Sequence, residues 1–205
     1  MAAKKEIKAI VFDIGGVVTK PHKINLSRIL SEYYKISLSK FSGAIFRKWD
    51  KMLTGKTSMK QYYRYITARL NIKDTNKFEK KWESLMKKHV EPNKEMQLLI
   101  KDIRKNYKII AFTNVSKDVE RIGIKKGIYD HFHIKVCSCN EGMKKPEKEF
   151  YKLLIKKSQC KPQELVFIDD SKNNLIPAQK LGIQTIHFKN ASQLKKDLKK
   201  LGVKI

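Results

Sequence analysis

Apolar positions along the 205-residue chain fall into two rhythms. Five short apolar runs, rich in β-branched residues, occupy residues 8–12, 108–112, 134–137, 165–168 and 183–188. Their length and composition predict strands, and their near-continuous hydrophobicity predicts burial on both faces. Between the later runs the spacing becomes helical. Residues 94–106 place Met96, Leu99, Ile100 and Ile103 on one stripe, and residues 147–157 repeat the pattern with Phe150, Leu153 and Leu154. Residues 174–181 form a short helix that Gly182 ends in a left-handed cap. This alternation predicts an α/β fold, a doubly wound and mainly parallel sheet with helices on both faces.

One interval breaks the rhythm. Far more chain separates the runs at 8–12 and 108–112 than one crossover helix needs. Residues 19–90 read almost wholly helical, with four stripes: Leu26, Ile29, Leu30 and Tyr33; Phe41, Ile45, Phe46 and Trp49; Tyr62, Tyr63, Ile66 and Leu70; Phe78, Trp82, Leu85 and Met86. The simplest account is a small helical domain, residues 19–90, inserted into a core formed by residues 1–18 and 91–205. Its aromatic stripes are expected to be core rather than a cofactor box.

Composition narrows the class. Hydrophobic residues make up 41% of the chain, enough for a globular core and too many for a disordered one. No run reaches membrane-spanning length, and MAAKKEIK lacks the apolar stretch of a secretory signal. Three cysteines, Cys137, Cys139 and Cys160, suggest reduced thiols and a cytoplasmic location. No further Cys or close-set His completes a soft-metal site around Cys137 and Cys139. The formal net charge of +26 implies attraction to polyanions. Lysine dominates it and is spread along the chain, whereas base readout favours arginine. Nonspecific attraction is therefore expected, without specific nucleic-acid binding or a membrane, in a monomer or homodimer.

In open parallel sheets, ligands bind beyond the carboxyl ends of the strands. The residues that follow the apolar runs are Asp13, then Thr113 and Asn114, then Lys144, Lys145 and Pro146 in the loop after residue 137, then Asp169, Asp170 and Ser171. Carboxylates, a hydroxyl and an ammonium on one edge suit phosphoryl transfer. Clustered acids bind Mg²⁺ through hard oxygens, and lysine and threonine stabilise the equatorial oxygens of the phosphoryl group. An Asp can attack phosphorus and form an aspartyl-phosphate, which water then hydrolyses.

These segments resemble the haloacid dehalogenase (HAD) superfamily, most of whose members are phosphatases. VFDIGGVV is similar to its first motif and implies that Asp13 is the nucleophile. IIAFTN is similar to the second and places the phosphate-binding hydroxyl at Thr113, beside Asn114. GMKKPEKEFY looks like the third and singles out Lys145, and VFIDDSKNN looks like the fourth, with metal acids at Asp169 and Asp170 and a supporting polar residue at Asn174. The resemblance implies that Asp13, Asp169, Asp170 and the carbonyl of Gly15 hold Mg²⁺. It also implies a helical cap after the first motif, with LTGKTSMKQYY similar to the cap loop that faces the substrate. Each motif alone is commonplace; four in order at strand ends are specific.

One position departs from the pattern. Most phosphatases of the superfamily carry a second Asp two residues after the nucleophile, and here that residue is Gly15. Glycine keeps the carbonyl but not the acid, and general acid–base help is worth roughly 10²–10⁴-fold in rate. Three readings follow. The first is a Mg²⁺-dependent hydrolase of a small phosphorylated metabolite, with His22 a candidate replacement acid against the commoner role of an exposed hinge histidine. The second is a HAD-fold binding protein with impaired turnover. The third is a dehalogenase, which needs no second Asp but also no Mg²⁺, and so leaves Asp169 and Asp170 unexplained.

Overall fold

The computed structural model describes residues 6–21 and 25–205. Strand β1 (Ala9–Phe12) is followed by helices α1 (Leu26–Tyr34), α2 (Leu38–Phe46), α3 (Trp49–Leu53), α4 (Met59–Arg69) and α5 (Thr75–His89). The chain continues through α6 (Lys94–Ile103), β2 (Lys108–Thr113), α7 (Lys117–Lys125), β3 (Ile134–Cys137) and α8 (Ser138–Glu141). It ends with α9 (Lys148–Ser158), β4 (Leu165–Asp169), α10 (Lys172–Lys180), β5 (Gln184–His187) and α11 (Ala191–Lys200).

The five strands form one parallel sheet in the order β3-β2-β1-β4-β5. Successive side chains point to opposite faces, and both faces are covered. Ile10, Phe12, Ile109 and Ile168 pack with Met96, Ile100 and Leu194 on one side. Val11, Ile110, Phe112 and Phe167 pack with Phe150, Tyr151 and Leu154 on the other. All four residues of β1 are buried, which is why this strand reads as an unbroken apolar run. Gly182 has φ +83°, and Ile183 donates its N–H to the carbonyl of Ala178 over 3.1 Å, closing α10 as the sequence predicts. The fifth strand is shorter than its apolar run, since Ile183 belongs to this turn. Helix α10 begins at Lys172, ahead of the expected position 174.

Helices α1 to α5 gather around their own cluster, which includes Leu30, Phe41, Ile45, Tyr62, Tyr63, Ile66, Phe78 and Trp82. Most of its ring pairs meet edge-on or tilted, as with Tyr63 and Trp82 at 5.8 Å between centroids. Three stripe residues fall outside it: Ile29, Phe46, which is 61% exposed, and Tyr33, which is 45% exposed. Helix α2 stops at Phe46 and α3 starts afresh at Trp49, so the helical phase does not run through. In α1 the adjacent Tyr34 packs inward in place of Tyr33. The chain leaves and re-enters the sheet-bearing part side by side. Lys20 donates its N–H to the carbonyl of Glu91, and Asn93 donates to that of Val18, both at 2.9 Å.

Candidate active site

The strand ends converge as the sequence predicts. Asp13 follows β1, and its N–H donates to the carbonyl of Ile168 in β4 over 2.8 Å. Its Oδ1 accepts the N–H of Ile14 at 2.7 Å. Asp169 ends β4 and is fully buried. The ammonium of Lys145 lies between these two acids, 3.0 Å from Asp13 Oδ1 and 2.7 Å from Asp169 Oδ2. Lys145 is itself buried, with the rings of Phe112 and Phe167 each 5.5 Å from its Nζ.

Neutral groups fix this ion pair. Asn114 accepts the N–H of Lys145 on Oδ1 at 2.8 Å and donates from Nδ2 to the Lys145 carbonyl at 2.9 Å. This reciprocal pair aims the lysine from its backbone. Asn174 donates to both oxygens of Asp169, at 3.0 and 3.1 Å, and the N–H of Ser171 donates to Oδ1 at 2.8 Å. Thr113, at the end of β2, is buried and stands on the same edge.

The electrostatics follow from burial. Removal from water pushes the Asp13 carboxyl up to about 6; Lys145 opposes the rise and Asp169 adds to it. Burial pulls the Lys145 ammonium down, but the facing Asp13 and Asp169 outweigh it and leave its pKa raised. Asp170 is raised by burial and by its neighbour Asp169. One oxygen from each of Asp13, Asp169 and Asp170 lies within 4.8 Å of the others, the one group of acids, cysteines or histidines so placed among the described residues. Three hard oxygens fit Mg²⁺ in donor type, and a lone ammonium cannot balance three carboxylates. Cys137 and Cys139, by contrast, are free buried thiols outside any such group.

Gly15 and Gly16 differ. A Cβ at Gly15 would meet nothing within 4 Å, whereas one at Gly16, where φ is +74°, would stand 2.3 Å from Asp170 Oδ2. Gly16 is required by close approach and backbone angle; Gly15 is not. His22 lies outside the described residues. His133 supports the sheet, its Nδ1 accepting the N–H of Ile109 at 2.9 Å. His187 Nε2 lies 3.0 Å from the carbonyl oxygen of Asp170, a contact no spacing pattern signals.

Helical residues reach this edge. Leu53, in the stretch LTGKTSMKQYY, accepts a hydrogen bond from Ser138 Oγ on its carbonyl at 2.8 Å. Gly55, at φ +69°, lies so close to the Cys139 carbonyl that a Cβ would stand 2.3 Å from that oxygen. Lys144 pairs with Asp50 at 3.2 Å. Sequence reasoning missed Asp118 in α7. This buried acid accepts from Trp82 Nε1 at 3.0 Å and from the Tyr63 hydroxyl at 3.3 Å, both across the seam, and from Ser116.

Comparison with known proteins agrees with this architecture. Residues 7–182 match the family profile of the haloacid dehalogenase-like hydrolases. The chain is 39% identical over 71 residues to mouse (Mus musculus) bifunctional epoxide hydrolase 2; the match covers 35% of this chain but only 13% of that protein's length. It is 24% identical over 200 residues to the sesquiterpene phosphatase astK of Aspergillus oryzae, covering 95% of this chain and 96% of the other. It is 23% identical over 208 residues to a D-ribitol-5-phosphate phosphatase of Bacteroides thetaiotaomicron, covering 94% and 97%. A crystal structure of a HAD family enzyme from B. thetaiotaomicron, in complex with magnesium and inorganic phosphate, superposes with a TM-score of 0.75 at 22% identity, over 92% of this chain and 98% of that one. With the profile spanning most of its length, the chain belongs to the haloacid dehalogenase-like hydrolases.

Proposed function

We propose that the protein is a Mg²⁺-dependent phosphatase that hydrolyses a small phosphate monoester through an aspartyl-phosphate on Asp13. The observation that carries this reading is Lys145 held between Asp13 and Asp169, with Asp170 completing the acid cluster. Asp13, Asp169, Asp170 and the Gly15 carbonyl would hold the metal. Bound there, Mg²⁺ would supply the positive charge that lets a carboxylate approach an anionic ester.

The chain's own residues account for the remaining work. A carboxylate oxygen of Asp13 attacks phosphorus; the bond from phosphorus to the ester oxygen breaks, and its electron pair leaves with the alcohol oxygen, which takes a proton from water. A second water then attacks phosphorus, releasing inorganic phosphate and restoring the Asp13 carboxylate. Thr113 and the Lys145 ammonium stabilise the phosphoryl oxygens while charge builds on them. Asn114 and Asn174 hold Lys145 and Asp169 in place. Residues 19–90 act as a cap over the core of residues 1–18 and 91–205, excluding water and selecting the substrate. The reading places the enzyme in the cytoplasm, with its lysines offering nonspecific attraction to polyanions. Two relatives of similar length are phosphatases, and their names share the phosphate ester rather than the alcohol. Several proteins of similar fold have been solved with magnesium bound.

The test pairs turnover with a binding measurement. An aryl phosphate should be hydrolysed only with Mg²⁺, and Asp13→Asn should lower kcat by about 10⁴-fold or more. Mg²⁺ should also raise the melting temperature of metal-free protein, and raise it less in Asp169→Asn. Equal turnover in the parent and Asp13→Asn would sink the nucleophile assignment. A Mg²⁺-dependent melting shift without turnover would leave a binding protein.

A further inference from the structure

Beside the acid cluster a cavity of about 320 Å³ opens between the helical segment and the sheet edge. Gly15 and Thr113 form part of its wall, so it adjoins the proposed phosphoryl site directly. Trp49, Leu53 and Met86 close it from the helical side, and Val119 closes it from α7. Among the described residues, no Asp, Glu, Lys, Arg or His lines it. In a chain with 32% charged residues, an uncharged wall next to a site for an anion is a selective feature.

Three of its polar wall side chains already have partners, which leaves the hydroxyls of Thr113 and Tyr129 and the indole N–H of Trp49. Thr19 Oγ1 donates to the carbonyl of Ile14 at 3.1 Å, and Ser116 Oγ donates to Asp118. The Asn114 amide is engaged at both ends by the backbone of Lys145. A sugar or polyol in this space would give up hydrogen bonds to water and find few replacements. A hydrocarbon or aromatic group would lose nothing by entering.

We infer that the substrate is the phosphate ester of an apolar alcohol, whose hydrocarbon part fills this cavity while the phosphate reaches Asp13. The inference rests on the phosphatase reading and specifies its substrate class. At about 30 Å³ per non-hydrogen atom, the space holds roughly ten carbons. Gly15 fits this assignment, because a Cβ there would stand in open space and its absence keeps the passage between cavity and nucleophile wide.

A homologous series tests it. The n-alkyl phosphates from ethyl to dodecyl share nearly the same leaving-group basicity, so differences between them report binding of the chain. Hydrolysis should show kcat/KM rising about fourfold per methylene and flattening near ten carbons. D-Ribitol 5-phosphate should fall well below decyl phosphate. The matching alkylphosphonates have a carbon–phosphorus bond in place of the ester, and their calorimetric affinity with Mg²⁺ should follow the same slope. Val119→Trp should move the plateau to shorter chains, and Leu53→Asp should flatten the slope. A flat series in turnover and in binding, or a preference for ribitol phosphate, would overturn the inference and leave the phosphatase reading standing. A slope in phosphonate binding with no turnover of any ester would keep the apolar pocket and remove hydrolysis.

Discussion

Asp169 and Asp118 are both carboxylates taken out of water, and both accept from neutral donors, but only Asp169 also faces a buried cation. Asp169, at the sheet edge, faces the buried ammonium of Lys145 and a second acid. Asp118, at the seam beneath the helices, is 4% exposed, and its recorded partners are the neutral donors Trp82, Tyr63 and Ser116. It also lies in the first turn of α7, where the helix dipole favours a negative charge. A charge paired with a charge leaves the acid cluster short of positive charge, as a site for a divalent cation requires. A charge held by neutral hydrogen bonds fixes geometry. The first arrangement suits chemistry and the second suits a joint.

The comparison breaks most visibly at Lys145. Lys145→Ala would leave Asp13 and Asp169 facing each other without their cation. Removing one partner of a buried ion pair costs about 3–5 kcal/mol. Asp13 already sits near pH 6 because of burial, with Lys145 holding it down. Without the lysine it should rise further and be protonated at neutral pH, which removes the proposed nucleophile. Urea denaturation and turnover should therefore fall together, and added Mg²⁺ should restore more stability in the variant than in the parent. A variant as stable as the parent without metal would show that the lysine is not what balances these acids.

Asp118 should give a smaller and different effect. Asp118→Ala strands the buried indole N–H of Trp82 and the hydroxyl of Tyr63, a loss of about 1–3 kcal/mol. Because the joint links α4 and α5 to α7, KM should rise more than kcat falls. Loss of kcat as deep as in Lys145→Ala, with stability intact, would mean that the two acids do the same work.

The two regions were not equally legible. Asp13, Thr113, Lys145 and Asp169 each follow a strand or precede a recognisable turn, so one-dimensional order carried them, and the sheet placed them together. Asp118 lies in KDVERIGIK, where an acid in the first helical turn looks like an ordinary solvated residue. Its partners across the seam lie 36 and 55 positions away, and no local pattern names them. The apolar cavity was hidden for the same reason, since its walls come from the segment after β1 and from α1, α3, α5 and α7 together. Helix α7 itself carries few apolar residues, and its short stripe is hard to separate from a loop. Within residues 19–90, helical spacing marked most of the core correctly, but a fresh start at Trp49 turned Phe46 outward.

The two glycines sharpen the comparison at the smallest scale. Gly16→Ala forces a Cβ against Asp170 at a positive φ, so it should displace that carboxylate directly. Gly15→Ala meets no atom and has no such backbone angle, so stability should change by only about 1 kcal/mol or less. Gly15→Asp can therefore be made without rebuilding the site, and it returns a carboxyl to the position from which an acid could protonate the leaving oxygen. Alkoxides need that proton more than aryl oxides do. The ratio of octyl phosphate to nitrophenyl phosphate turnover should rise by about tenfold or more in Gly15→Asp, below the full 10²–10⁴ range because the new acid also intrudes on the apolar cavity. Gly15→Ala should leave the ratio where it was. If alanine raises the ratio as much as aspartate, the effect is one of space rather than proton transfer, and Gly15 is there for the cavity alone.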